Sequence, residues 1–558
     1  MQNPYYGNRG LPSTSRNDSF NSNEHILLNG TSNHEDIDKK IFTREGFYLQ
    51  SIIYDYSKSP TKLAADNRGA PPGSSLPNLP IRISFANVTE NWSRICFNIG
   101  RELLIFDFDE KNPTLELIKS VDKRMYKGTF PSCHDINQET SQQNSCPLIV
   151  AFSAGQIQML DPLQKDAPNS RLFNEDRSLE QSAATCIKWI PDQPTCFLVA
   201  HASGNLYVYD SDLVCASPTP NYQVLKQQQD FIVYTCKLKS ARNPIYKWTV
   251  GKSSIQQFEF AKTENSEHIL LAIVSQDGYL RVFNFTTMDL LHQMKSYFGG
   301  FLSVAWSPDA KLIAVGGEDD MITIYSLKEK RVICRGQGHK SWVSQVNFDP
   351  VRTVTEAEAR KRKLVNFDDL EYRKYVGAKV VDPYFEMNYR IGSVSFDTSI
   401  CLWEIPEDVI LTPFDYSSQR QRSTAFVTAI STSINEEDAK GLIPAENKDK
   451  NKVKKKRKVF SFGVKSGKNL ANAEKELNTS EATRYEDYGK SLFGSTLCPR
   501  MDQVPTIEPF NCKKIAQDRL TAVCFRKNCI ITVCQEGYVS CWKRPDGNND
   551  LSNFDDSQ

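Results

Sequence analysis

The chain has 558 residues, 39% of them hydrophobic and 11% aromatic, enough apolar material for one large repeat domain or two to four ordinary ones. Its 68 Lys and Arg almost cancel its 67 Asp and Glu, so no global field draws it to nucleic acid or to a membrane surface, and any such field must be local. No run approaches the ~18 apolar residues of a spanning helix, and the fifteen cysteines show no metal-ligand spacing.

Residues 1–40 are rich in Asn, Ser and Gly, carry no signal-peptide core, and are expected to be disordered. One unit then recurs: an apolar strand, a tight Gly/Asp turn, and a second strand rich in β-branched and aromatic residues. Its copies are "RICFNIGRELLIFDF" (94–108), "LIVAFSAGQIQMLDP" (148–162), "FLVAHASGNLYVYD" (197–210), "LLAIVSQDGYLRVFNF" (270–285), "IAVGGEDDMITIYSL" (313–327), "IGSVSFDTSICLWEI" (391–405) and "IITVCQEGYVSCWKR" (530–544). The turns hold the residues a hairpin needs. Several copies follow a further strand, as in "TCIKWIPD", "FLSVAWSPD" and "WVSQVNFDP", and one precedes "KRVICRGQ". Four strands per unit, and 41 residues between the turns at Gly278 and Asp319, match the blade of a WD-repeat propeller. Seven units predict an all-β, seven-bladed WD-repeat β-propeller with a disordered N-terminus and two long insertions.

The last unit is one strand short, because the chain after Trp542 is too polar to supply it. "EGFYLQSII" (45–53) is the expected replacement, closing the ring and removing an exposed edge. The domain layout that follows starts with a tail, 1–40. Residues 41–350 hold the closing strand, blades one to five and the first strand of blade six. Residues 351–388 form a charged insertion in blade six, whose remainder is 389–405. A mostly disordered linker spans 406–510, blade seven spans 511–545, and a polar tail spans 546–558. Cys524, Cys529, Cys534 and Cys541 fall in alternating apolar strands. They read as small core residues, neither zinc ligands nor disulfides, which fits a reducing intracellular compartment.

Three groups of residues ask for a role. His339, in "GQGHKSWV", with Ser393 or Ser395, Asp397 and Trp403, has the spacing of a structural hydrogen-bond network inside one blade. A catalytic reading of His, Asp and Ser lacks a nucleophile turn. Phe298, in "KSYFGG", and Trp342 occupy equivalent loops before the innermost strands of blades five and six, where a propeller opens its top face. They read as partner-binding anchors, or else as rings tucked against their own blades. "KKKRKV" (454–459) resembles a nuclear import signal built on Lys454, Lys455, Lys456, Arg457 and Lys458; the plainer reading is a solvated linker, and nucleic-acid contact is not expected. "GVKSGK" (463–468) is one residue short of a phosphate loop and follows no strand. No catalytic, cofactor-binding or metal residue is expected.

The strings "GGEDDMITIYS", "GQGHKSWV", "KSYFGG", "LFNEDR", "SQDGYLRVFNF", "LCPRMDQVP" and "CKKIAQDRLTAV…CQEGYVSCW" closely resemble the WD repeat-containing protein 20 family. The group includes the myotonic-dystrophy-locus WD protein and, more distantly, the fungal catabolite-repression protein CreC. The resemblance runs from about residue 41 to 545 and fails in the two insertions and the tails. It implies a non-enzymatic subunit, without cofactor, that binds and activates a ubiquitin-specific protease of the 12/46 type. A second WD-repeat activator would share the complex, and the protein would be both cytoplasmic and nuclear. Three rivals remain at this point. A cullin-ligase substrate receptor would carry Trp-Asp-x-Arg, whereas here Trp403-Glu404-Ile405-Pro406 lacks both the Asp and the Arg. A nuclear RNA-processing scaffold rests on the basic run alone, and a hydrolase lacks site motifs.

Overall fold

The computed structural model describes residues 39–59, 62, 79–117, 120–164, 170–215, 220–237, 243–263, 268–361, 386–411 and 492–545. Their strands form seven sheets, one per blade. Blade one is Ile83–Thr89, Trp92–Ile99, Glu102–Asp109 and Ser120–Met125. Blade two is Pro131–Ile136, Leu148–Phe152, Ile157–Leu160 and Arg171–Phe173. Blade three is Ala184–Ile190, Gln193–His201, Asn205–Asp210 and Tyr246–Val250, extended outward by the hairpin Tyr222–Gln228 and Phe231–Cys236. Blade four is Ile255–Lys262, Ile269–Ser275, Tyr279–Asn284 and Asp289–Lys295. Blade five is Phe301–Trp306, Leu312–Gly317, Met321–Ser326 and Arg331–Gln337. Blade six is Val343–Phe348, Asn388–Ser395, Ser399–Pro406 and Asn511–Lys514. Blade seven is Leu520–Phe525, Cys529–Cys534, Tyr538–Lys543 and, from the other end of the chain, Gly46–Asp55, which Lys40–Thr43 extends as a hairpin.

Alternation along each strand explains how the blades cohere. Successive side chains point to opposite faces of a sheet, and here each face meets a neighbouring blade. In Tyr279–Asn284, Phe283 packs with Phe231 and Trp248 of blade three, while Leu280 and Val282 pack with Val304 and Ile313 of blade five. Both faces being covered, the central strands are buried along most of their length, as in Ile269–Ser275. The core is therefore divided into clusters, one between each pair of adjacent blades. The cluster joining blade seven to blade one contains Ile53, Ile531 and Val539 on one side and Phe97, Leu104 and Phe106 on the other. With it the ring is closed, and Gly46–Asp55 completes the seal by pairing antiparallel with Tyr538–Lys543.

Three expected boundaries move. The linker expected over 406–510 is ordered at its far end. Residues 492–510 run along the outer edges of blades four and five, where Lys295 N–H donates to the Leu497 carbonyl at 2.9 Å and Arg335 N–H to the Pro505 carbonyl at 2.9 Å. Thr506–Ile507 adds a parallel strand to blade five. The physical reason is that Cys498 and Val504 are buried apolar anchors in an otherwise polar stretch. Blade seven does not begin at 511, because Asn511–Lys514 pairs with Ser399–Pro406 as the outer strand of blade six. Blade six is thus split across the second insertion as well as the first. The insertion expected at 351–388 keeps a described stem, where Val354 and Asn388 exchange backbone hydrogen bonds of 2.7 and 3.0 Å and helix covers 356–361. The N-terminal tail up to residue 38, the interior of both insertions and the tail 546–558 lie outside the described residues.

Candidate protein-binding face

Two consecutive loops carry the aromatic residues singled out from the sequence. The first joins blades four and five. Ser296 Oγ donates to the Gly299 carbonyl at 2.5 Å, Ser296 N–H donates to the Gly278 carbonyl at 2.7 Å, and Gly300 N–H donates to Glu318 Oε2 at 2.9 Å. Gly299 has φ +62°, a left-handed conformation that side-chain-bearing residues resist. Tyr297 lies 5.4 Å from the Phe493 ring, with the Arg335 guanidinium 5.2 Å above it. Phe298 stands 69% exposed.

The second loop joins blades five and six and is built on the network around His339. Trp403 Nε1–H donates to Ser393 Oγ at 2.8 Å, and Ser393 Oγ lies 2.7 Å from His339 Nε2. His339 Nδ1 lies 3.1 Å from Asp397 Oδ2. One proton arrangement satisfies every group: Nδ1–H donates to Asp397, the Ser393 hydroxyl donates to Nε2, and Ser393 accepts from Trp403. Burial raises the Asp397 carboxyl, but the His339 hydrogen bond and the backbone N–H groups of Lys340 and Ser399 outweigh it and hold the group at about 2. Of the two serines open from the sequence, Ser393 is the link. Ser395 instead donates to the Ser341 carbonyl at 2.9 Å and accepts from Asp397 N–H at 3.1 Å. Gly338 precedes His339 because a Cβ there would meet Pro509 Cγ at 2.7 Å and Trp403 Cη2 at 3.1 Å.

The network therefore fixes the loop that carries Trp342. Lys340 N–H donates to Asp397 Oδ2 at 2.8 Å, and Phe396 N–H donates to the Trp342 carbonyl at 3.0 Å. The Trp342 ring tilts against Phe396 at 5.8 Å and stays 43% exposed. Among the described residues no ring contact joins Phe298 to Trp342; they stand apart on neighbouring loops. The Ser-His-Asp set cannot serve as a nucleophilic triad in this geometry, since Ser393 is fully buried and its oxygen is engaged with Trp403.

Sequence reasoning missed the residues that continue this surface inward. The Arg519 guanidinium lies over the Phe396 ring at 5.1 Å. Beside it, at the mouth of the central channel, a cavity of about 160 Å³ is lined by Arg82, Arg519, Ser344, Leu302 and Phe396, among others, with no carboxylate in its wall. Desolvation lowers the Arg82 pKa. Both arginines precede innermost strands, a position that sequence alone could have marked as facing the axis. Glu404, in the place of the missing Asp, pairs with Arg390 and Arg44. The basic run at Lys454, Lys455, Lys456, Arg457 and Lys458 lies outside the described residues. Among the described residues no group of three or more His, Cys, Asp or Glu could hold a metal ion, and no helix is long and apolar enough to cross a membrane.

A family model for the WD domain, G-beta repeat, matches residues 289–326. The chain is 36% identical over 564 residues to the WD repeat-containing protein 20 of Mus musculus, covering 90% of this chain and 95% of that one. It is also 36% identical over 549 residues to the WD repeat-containing protein 20 homolog of Caenorhabditis elegans, covering 81% of this chain and 70% of that one. A chain of the solved structure "Crystal Structure of Mitotic Checkpoint Complex" is 9% identical at TM-score 0.43, covering 95% of this chain and 99% of that one; at that distance it bears on neither fold nor function.

Proposed function

This chain belongs to the WD repeat-containing protein 20 family, and we propose that it is a non-catalytic subunit that binds and activates a ubiquitin-specific protease of the 12/46 type. The observation that carries the proposal is the pair of solvent-facing aromatics, Phe298 and Trp342, each held outward by a hydrogen-bonded loop. Exposed aromatic rings on rigid loops cost little entropy to bury and make the commonest interface anchors. Arg519, packed on the Phe396 ring that also meets Trp342, and Arg82 in the same cavity wall favour an acidic contact on the partner. A protein that lends no catalytic group raises turnover only by binding the competent conformation of the protease more tightly than the incompetent one. A second WD-repeat activator shares the complex at another surface of the protease. The protein works in both cytoplasm and nucleus, with Lys454 to Lys458 as its import signal.

The test is paired measurement of binding and melting for Phe298→Ala and Trp342→Ala. Central aromatic anchors cost ~2–4 kcal/mol on truncation, roughly 30- to 1000-fold in affinity. Affinity should fall by that much while the melting temperature holds. Full binding by the double variant would rule the anchors out, and a large drop in melting temperature would return both rings to the core.

A further inference from the structure

Blade six is closed by a strand that returns from the second insertion, and that strand meets the blade through a pair of cysteines. Asn511–Lys514 runs antiparallel to Ser399–Pro406, with Ser399 opposite Lys514, Ile400 opposite Lys513 and Cys401 opposite Cys512. Just past the strand end, Ile515 N–H donates to the Thr398 carbonyl at 3.0 Å, so Thr398 and Ile515 form a hydrogen-bonded pair. Hydrogen-bonded and non-hydrogen-bonded pairs alternate along an antiparallel ladder. Cys401 and Cys512 therefore occupy a non-hydrogen-bonded site, where the side chains share a face and approach most closely. The Cα separation at such a site, about 4.5 Å, falls inside the ~4.4–6.8 Å window of a disulfide.

The two thiols differ in access. Cys401 is fully buried, with Sγ 3.7 Å from His339 Nδ1. Cys512 is exposed at the blade edge, with Sγ 3.8 Å from the Gly338 carbonyl oxygen. A hydrogen bond from Cys401 lowers the Cys512 thiol and the Lys340 charge adds to the effect, against burial and the Asp397 carboxylate. The same bond raises Cys401. An accessible sulfur biased toward thiolate, backed by a buried second thiol, is the arrangement of a redox-sensing pair.

We propose that Cys401 and Cys512 are a reversible dithiol that a hydroperoxide oxidises to a disulfide. The Cys512 thiolate attacks the terminal peroxide oxygen; the O–O bond breaks, a sulfenic acid forms, and the released alkoxide or hydroxide takes a proton to leave as alcohol or water. The Cys401 sulfur then attacks the sulfenyl sulfur, the S–O bond breaks, and the Cys401 proton leaves with the hydroxide as water. Two thiols lose two electrons and the peroxide gains them. The bond ties the returning strand to the blade directly beside His339, whose loop carries Trp342. Oxidation thus locks the outer strand of blade six in place, and a dithiol reductant releases it. Cys529 and Cys541 serve as an internal comparison: both are buried, and in register Cys529 faces Lys543 and Cys541 faces Ile531.

The test uses the full-length protein, reduced, exposed to graded hydrogen peroxide, alkylated and mapped by mass spectrometry. At the lowest effective dose the Cys401 and Cys512 peptides should appear linked, two hydrogens lighter than the free pair, and dithiothreitol should separate them. Cys512→Ser should abolish the link, and Cys401→Ser should leave a sulfenic acid at Cys512 that dimedone traps. The proposal is overturned if the unsubstituted protein carries Cys512 forward to sulfinic acid without a link, joins it to a different cysteine, or remains fully alkylated. That mapping needs no variant to fold.

Discussion

Replacing Ser393 by Ala probes the physical basis of the top-face loop most sharply. The hydroxyl is fully buried, takes the Trp403 N–H at 2.8 Å and satisfies His339 Nε2 at 2.7 Å. Ala removes both bonds and supplies no water in their place, because Trp403 fills the space around it and is itself fully buried. Two orphaned groups at ~1–3 kcal/mol each, less some relaxation, put the loss at roughly 2–4 kcal/mol. A domain is stabilised by only ~5–15 kcal/mol in total, so chemical unfolding should detect the change readily. Trp403→Phe removes the donor and leaves a cavity. In the double variant the Trp N–H is no longer there to be orphaned, so the losses should fall short of additivity by ~1–2 kcal/mol. A Ser393→Ala loss below about 0.5 kcal/mol, or strict additivity in the cycle, would refute the network as a source of stability.

Further outcomes follow from the same structure. A chain beginning at Lys39 keeps every described strand; one beginning at Tyr56 loses the fully buried Ile41, Tyr48 and Ile53. At ~1.5–3 kcal/mol per side chain that is roughly 5–9 kcal/mol, and the shorter chain should show no cooperative melt; equal melting temperatures would contradict ring closure. Asp397 lies at about 2, below its ordinary 3.8. Its contribution is therefore complete above about pH 5 and is lost as pH falls through 3.8 toward 2, because the unfolded chain takes up the proton first. Asp397→Asn should flatten the stability profile in that window, and an unchanged acid limb would disprove the assignment. Replacing Lys454, Lys455, Lys456 and Arg457 by Ala should lower nuclear accumulation without shifting the melting temperature; an unchanged nuclear fraction with export blocked would show that the run is only solvated.

The repeat was legible because each blade buries both faces of its two central strands, leaving an apolar-turn-apolar imprint such as "LLAIVSQDGYLRVFNF" (270–285). Outer strands leave no such imprint. Asn511–Lys514 has an alternating half-buried pattern with no fully buried residue, and Ser120–Met125 has none either. The sequence pattern therefore places the outer strand of blade six beyond the blade boundary and carries no sign of the hairpin added to blade three. The strap at 492–510 gave one signal, "LCPRMDQVP", whose Cys498 and Val504 are its buried points. His339, Asp397 and Trp403 could be grouped by blade spacing, but choosing between Ser393 and Ser395 needed the strand register, since both serines lie on one face. Arg82, Arg519 and Phe396 come together only through ring closure, from positions hundreds of residues apart, so no local pattern could have joined them.

The central claim is activation of a protease by a subunit that performs no chemistry. Turnover of a fluorogenic ubiquitin substrate by a purified protease of the 12/46 type, measured with this protein at saturation, tests it directly. A tenfold rise requires only about 1.4 kcal/mol of preference for the competent state. The account predicts a rise in kcat of at least that size, no turnover by this protein alone, and loss of the rise with Phe298→Ala and Trp342→Ala combined. A protease whose kcat is unchanged at saturating concentration, or is raised equally by the double variant, would contradict it.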